Sequence, residues 1–479
     1  MFSSGIDAVV PMLCVTLAAL AVMGAEAFRA RGEQLPLGGL GVVGLVGAAI
    51  SAVLLWNRNA VSFGVVVADN FGLFVTLVLL LVALLTIMFS STVVRRDGLP
   101  AGEYYALVLF ATAGMIMMAT ANDLLVVFIA LEILSIAVYV LTGIRRDDSR
   151  AIEAAFKYFL LGAFSSAFFL YGIAFTYGLA GSTRLDRVGT YMAAQSMSGN
   201  PLILVALGLL LVGFAFKISA VPFHMWTPDA YEGAPAVVTG FMSTGVKAAA
   251  FAAFARVFLS VFEPFSGEWA PLVWLLAAAT MILGTVVGVA QSNLKRMLAY
   301  SSIAHGGYLL VGLVAANQVG KAAILFYLLA YAVTNLAAFG VIALLGTREA
   351  ANDELRDYAG LWHTRPALAA LMTVCLLSLG GLPPTAGFIG KWYIFSAAVS
   401  AGYYGLAVIG VLTSVVSVFF YLRVVVMMYM TDRPAAIAPP PVSAVAMAAL
   451  VASIAAIIAL GILPTPVLDF AAQSIATIF

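Results

Sequence analysis

Residues 212–235 read VGFAFKISAVPFHMWTPDAYEGAP. An apolar run from Pro201 arrives at Lys217, and Pro222 follows five residues later. Proline lacks a backbone donor and clashes with the turn before it, so a helix arriving from residue 201 breaks near Ser219–Pro222. Residues 378–395, SLGGLPPTAGFIGKWYIF, repeat the pattern: Gly380-Gly381-Leu382-Pro383-Pro384 does not propagate a helix, and Lys391 stands close by. A broken helix inside hydrocarbon is tolerated only where protein buries it or where it lines a polar cavity.

Composition places both breaks in a membrane. The chain has 479 residues, 63% hydrophobic and 9% charged, where a soluble domain is about 25% charged. So much apolar surface needs lipid as solvent. The net charge of +1 gives no sign of a nucleic-acid partner. Cys14 and Cys375 lie far apart with no CxxC, and the three histidines are scattered, so no metal, haem or iron–sulfur site is expected. No GxGxxG or P-loop pattern occurs, and no cofactor is expected on this chain. The first apolar run carries its basic residues, Arg29 and Arg31, behind it rather than in front, and reads as a retained span rather than a signal peptide.

Spanning takes about 20 apolar residues. Apolar runs between breaks give about fourteen spans: 7–27, 36–56, 70–93, 103–121, 123–143, 151–180, 201–223, 235–260, 269–290, 297–317, 320–346, 366–399, 403–430 and 442–462. The fold class is an all-α polytopic membrane protein, a single membrane domain over 1–479. Thirteen basic residues, Arg31, Arg348 and Arg433 among them, fall in the loops after spans 1, 3, 5, 9, 11 and 13, against four in the opposite loops. The positive-inside rule then puts both termini outside.

Six basic residues remain inside spans: Lys157, Lys217, Lys247, Arg256, Lys391 and Arg423. A charge at mid-bilayer costs about 2.5–3.5 kcal/mol on insertion scales. Glu132, in ANDLLVVFIALEILSIAVYVL, is too deep to snorkel; Ser135 and Tyr139 share its face. It reads as a working carboxylate or as a structural partner of a neighbouring helix. Lys217 reads as a functional ammonium or as a plug for carbonyls freed at the break. Lys247, in FMSTGVKAAAFAAF, sits among small residues that admit a close helix. His305, in SSIAHGGYLL, lies on a face with Ser301, Ser302 and Tyr308. Lys157 pairs with Glu153 at i+4 and is able to snorkel, as are Arg256 and Arg423 near span ends.

Three ionisable pairs recur at nearly one offset: Glu132 and His305, Lys217 and Lys391, Lys247 and Arg423. That spacing maps spans 4–8 onto 9–13 as two inverted five-helix repeats, with spans 7 and 12 broken, as in many transporters. The segments are then 1–102, 103–260, 269–430 and 442–479. Burial disfavours a charged lysine, so deep lysines can exchange protons near neutral pH. Glu132, Lys217, Lys247, His305 and Lys391 together read as a proton relay completed by water.

FKISAVPFHMWTPDAYEGAP, LKRMLAYSSIAHGGYLL and SLGGLPPTAGFIGKWYIF resemble the antiporter-like membrane subunits of respiratory complex I, in the form of subunit N, the bacterial counterpart of mitochondrial subunit 2. The resemblance covers essentially the whole chain. It implies fourteen helices in a bacterial inner membrane. It also implies an ion pair between Glu132 and Lys217, a central relay at Lys247, an onward link at His305, an outer exit or neighbour at Lys391, and an inner-side role for Lys157. Partners would be the M subunit, the small K- and J-type subunits and the whole complex. FMN, iron–sulfur clusters, NAD chemistry and quinone (ubiquinone or another) would belong to those partners. A subunit of a multisubunit sodium/proton antiporter shares these motifs and is the competing reading.

Overall fold

The structure is a computed structural model and describes residues 5–30, 35–194, 200–347, 353–432 and 442–478. Arg31, Arg348 and Arg433, used above for orientation, lie outside the described residues. The first half of the chain holds α1 (Val10–Ala27), α2 (Leu37–Leu54), α3 (Asn70–Arg96), α4 (Ala101–Thr120), α5 (Leu124–Thr142), α6 (Ser149–Ala180), α7 (Leu185–Ala194), α8 (Pro201–Lys217), α9 (Trp226–Gly233), α10 (Ala236–Phe241) and α11 (Lys247–Arg256). The second holds α12 (Ser266–Val289), α13 (Leu294–Ala315), α14 (Gln318–Leu345), α15 (Leu361–Thr364), α16 (Pro366–Gly380), α17 (Ala386–Ser400), α18 (Tyr404–Met430), α19 (Ala444–Ile462) and α20 (Thr465–Ile475). A short antiparallel hairpin, β1 (Ala60–Ser62) and β2 (Val66–Ala68), links α2 to α3.

The chain is a multi-pass membrane protein: twelve of the described helices are long and apolar enough to cross a bilayer. Two shorter apolar helices, α8 and α16, each run on through a break into a second helix, α9 or α17. The centre is the rod from Ala236 to Val261 together with α13 and α14, all enclosed by other helices. The rod is not plain α-helix. π-helical turns at Met242–Val246 and Val257–Val261 bracket α11, which begins at Lys247 and ends at Arg256. Such turns are rare and concentrate at functional sites.

The two breaks are built alike. After α8, Ser219 turns left-handed (φ 64°) and the Ala220 N–H reaches back to the Ala215 carbonyl at 2.8 Å. After α16, Gly381 does the same (φ 81°), and the Leu382 N–H reaches the Leu377 carbonyl at 3.0 Å. This is the backbone closure of a Schellman cap, and it satisfies carbonyls that the break would orphan. A second recurrence lies at the starts of α5 and α13. Asp123 and Asn293 are the N-caps. Leu124 and Leu294 donate to Thr183 and Asp353, and Leu185 and Leu355 donate to Asn122 and Ser292.

These matches recur at spacings other than the one shared by the ionisable pairs. The breaks align Ser219 with Gly381, and the caps align Asp123 with Asn293, so the shift between halves is not constant. By these registers His305 stands opposite Ser135. Lys391 stands opposite Asp229. Lys217 closes the helix before its break, whereas Lys391 lies in the helix after its own. The intervening segments differ in length.

Arg256 is a correction: it does not snorkel. It is buried and grips both carboxylate oxygens of Asp69 at 2.7 and 2.8 Å, with the Ala119 carbonyl at 3.1 Å. Asp69 in turn caps α3 through the Gly72 N–H at 2.7 Å. Arg423, by contrast, is partly exposed and reaches the end of α12, donating to the carbonyls of Val289 and Gln291. Lys295, placed in a loop by sequence, is buried and pairs with Asp353 at 3.0 Å. Removing one partner of a buried pair costs about 3–5 kcal/mol, whereas replacing both with apolar groups is often neutral. Asp69→Ala should therefore sharply reduce folded protein in the membrane fraction and its thermal midpoint in detergent. The double variant Asp69→Leu/Arg256→Met should regain most of both. An Asp69→Ala protein that accumulates and melts like the parent would refute a structural role for the pair.

Candidate functional site: a buried file of lysines, histidine and hydroxyls

Lys217, Lys247, His305 and Lys391 are all buried, none more than 4% exposed. Each is held by hydroxyl or carbonyl oxygens. Lys217 Nζ donates to Ser135 Oγ at 2.8 Å and to Tyr158 OH at 3.4 Å. It also lies 5.7 and 5.5 Å from the ring centres of Tyr139 and Tyr158. The face Glu132–Ser135–Tyr139 read from sequence thus does face the break. The plug reading for Lys217 does not hold. The Phe216 carbonyl next to it is taken by Trp226 Nε1 at 3.0 Å, and Trp226 stacks on Tyr158 at 4.1 Å.

Glu132 is partly exposed and accepts from Ser166 Oγ at 2.5 Å. It makes no direct ion pair with Lys217, contrary to what the resemblance implies; Ser135 stands at the ammonium and Ser166 at the carboxylate. Two positions on α5, Ile129 and Ile133, flank Glu132 and are exposed, so the carboxylate sits at the edge of an outward face.

Lys247 donates to the Ser302 carbonyl at 2.5 Å and to Ser302 Oγ at 2.7 Å. Tyr231 OH lies 3.5 Å from the same hydroxyl. At Gly306, α13 packs closely against both the first break and Lys247, which a missing side chain allows. A Cβ on Gly306 would stand 3.1 Å from the Ile218 carbonyl oxygen and 3.7 Å from Lys247 Nζ. One turn along α13, His305 Nδ1 meets Tyr327 OH at 2.7 Å, and Nε2 meets Tyr421 OH at 3.3 Å. Tyr421 OH also bonds Ser301 Oγ. Lys391 takes the role expected of Lys217: it donates to the carbonyls of Leu379 and Gly380 at 2.9 and 3.0 Å, and to Ser414 Oγ at 2.8 Å. It sits 5.0 Å from the ring centre of Tyr308, which packs edge-on against His305.

Lys157 is not brought into this file. Its side chain is 44% exposed and pairs with Glu153 at 2.7 Å and Asp229 at 2.9 Å. Asp229 is shared with Arg296 at 2.8 Å, and Arg296 also holds Glu232 at 2.8 Å. Sequence reading missed Tyr158, Ser166, Tyr231, Tyr327, Ser414 and Tyr421. Tyr327 and Tyr331, four apart in an otherwise apolar run, were a usable signal; single serines and tyrosines were not. Among the described residues no group of three or more His, Cys, Asp or Glu side chains is arranged to hold a metal ion.

The arrangement sets three lysines and a histidine, each on hydroxyl or carbonyl oxygens, within the enclosed bundle. Residues 121–417 match the family described as NADH:quinone oxidoreductase/Mrp antiporter, TM. A relative from Trichlorobacter lovleyi, NADH-quinone oxidoreductase subunit N, is 45% identical over 471 residues, covering 98% of this chain and 97% of its own. A chain in the structure of respiratory complex I from Thermus thermophilus with bound aureothin superposes with a TM-score of 0.81 at 37% identity, covering 96% of this chain and 99% of that one. A chain of the Mrp complex from Dietzia shares the fold, with a TM-score of 0.83 at 21% identity over 100% and 98% of the two chains. The chain therefore belongs to the subunit N family of NADH-quinone oxidoreductases, within the wider NADH:quinone oxidoreductase/Mrp antiporter membrane family.

Proposed function

We propose that this chain is the proton-translocating, antiporter-like subunit N of a bacterial NADH-quinone oxidoreductase. The observation that carries it is the buried file: four ionisable groups, each on oxygen ligands, spaced through the enclosed centre of a membrane bundle. A buried charge is retained at such cost where it works. Glu132 and Lys217 form the input pair, coupled across the hydroxyls of Ser135 and Ser166. Lys247 is the central relay, His305 and its two tyrosines carry the proton on, and Lys391 ends the file. Lys157, bridged to Asp229, stands at the inner mouth. The exposed flank of Glu132 supports a neighbouring subunit there, since lipid is a poor partner for a carboxylate.

The finer architecture belongs to the same reading. The two shorter broken spans bring twelve spans to fourteen, with helices 7 and 12 broken. The shared cap and break geometry supports two inverted repeats, 103–260 and 269–430, between N-terminal helices 1–102 and a C-terminal part 442–479. Both termini face the periplasm across the inner membrane. Flavin, iron–sulfur clusters and quinone belong to partner subunits, whose redox chemistry drives the file. The sodium/proton antiporter reading rests on a likeness of fold alone, whereas near-full-length relatives at 42–45% identity are quinone oxidoreductase subunits.

Lys217→Ala or Lys247→Ala in the assembled complex should lower NADH-driven proton uptake by inverted vesicles several-fold at normal assembly. Pumping at the parent rate would remove the relay. Gly306→Val leaves every charge in place but forces α13 away from the Ile218 carbonyl and Lys247, because its Cβ alone would stand 3.1 Å from that backbone oxygen. Proton uptake per NADH oxidised should fall in that variant, with Gly306→Ala intermediate. An unchanged ratio in Gly306→Val would mean that protons do not pass there.

A further inference from the structure

One end of the bundle holds a cleft that the relay does not use. Its volume is about 600 Å³, and it lies between the start of α2, the last turns of α3, the start of α4 and the first turn of α19. Ile87, Met88, Val42, Leu99 and Val445 line its apolar wall. Arg29 and Arg95 stand at its mouth. Both arginines are exposed, and Arg29 pairs with Glu26 through one nitrogen at 2.9 Å. The wall is held open by glycines. A Cβ on Gly38 would press on the Tyr105 ring at 3.3 Å, and one on Gly39 would meet nothing nearer than Pro36 at 3.8 Å.

Charge and shape select one occupant. From Arg95 to Ile87 is eight residues, a depth of about 12 Å at 1.5 Å per residue. The wall is apolar below a cationic rim, which matches the order of acyl chains and phosphate in a membrane lipid. Arg29 and Arg95 also lie on the face that the loop charges assign to the inner leaflet. Basic pockets between transmembrane helices on that face suit lipid phosphates.

We propose that this cleft binds one anionic phospholipid, its phosphate held by Arg29 and Arg95 and its acyl chains laid along α2 and α3. The site needs only the membrane reading of the chain and stands apart from the proton file. The assembled complex, reconstituted in phosphatidylcholine nanodiscs with a photoactivatable phosphatidylglycerol, should become labelled within residues 35–42 and 87–105. The matching photoactivatable phosphatidylcholine should label them weakly.

Two basic side chains at about 1 kcal/mol each correspond to roughly 30-fold in occupancy. Arg29→Gln/Arg95→Gln should therefore lose labelling by about that factor, less what Glu26 already screens. Gly39→Phe, which fills the cleft and keeps both arginines, should also abolish it. Equal labelling by the two lipids, or labelling that survives both variants, overturns the proposal. So does displacement by excess inorganic phosphate, which would make this a headgroup site alone. Labelling of the isolated chain but not of the complex overturns it too, since a neighbouring subunit would then fill the cleft. Proton uptake per NADH in Gly39→Phe separates this outcome from failure of the relay, because that variant touches no group of the file.

Discussion

At each break a helix ends inside the bilayer, where no water takes over its last carbonyls. The rest of the chain is arranged around that shortage. After α8, a left-handed serine and a reach-back hydrogen bond close the backbone, and Trp226 takes the Phe216 carbonyl. Lys217 is thereby released to face Ser135 and Tyr158. After α16, the backbone closes the same way, but Lys391 itself covers the carbonyls of Leu379 and Gly380. Two similar breaks thus leave their lysines in different employment: one free to meet a carboxylate's helix, one committed to the end of a helix.

Hydroxyls do most of the connecting. The distances from lysine or histidine to serine or tyrosine hydroxyls fall between 2.7 and 3.4 Å, within hydrogen-bonding reach. A hydroxyl both donates and accepts, so it can pass a proton without holding a charge. Carboxylates are kept to the margins: Glu132 at an outward edge, Asp229 and Glu232 at the mouth with Lys157 and Arg296, and Asp69 locked to Arg256. In the enclosed centre this leaves basic side chains and neutral hydroxyls.

The span pattern, the two breaks and the buried cations were legible because each violates an expectation for hydrocarbon: a proline where a helix should continue, or a charge where none is affordable. Span limits follow the apolar runs to within a few residues for that reason. The recurrence of caps and breaks was not legible, because Asp123 with Asn293 and Ser219 with Gly381 recur at spacings that differ from the one shared by the ionisable pairs. Arg256 was misread because depth along a span does not say what faces the side chain; Asp69, 187 residues earlier, decides it. Of the tyrosines around His305, Tyr421 escaped notice because single polar residues in apolar runs are common and acquire meaning only once α13 and α18 are packed together.

The two π-helical turns flanking α11 place a constraint of another kind on the chain. Each wide turn holds an extra residue, and the ten residues between them are phased by both. Lys247 at one end must meet Ser302 on α13, and Arg256 at the other must meet Asp69 beside α3. Each residue advances a helix by about 100°. Losing a single residue from the ten between the wide turns would swing one of these side chains to the wrong face while leaving the composition nearly unchanged. In this rod it is length, counted residue by residue, that keeps Lys247 and Arg256 on their separate sides.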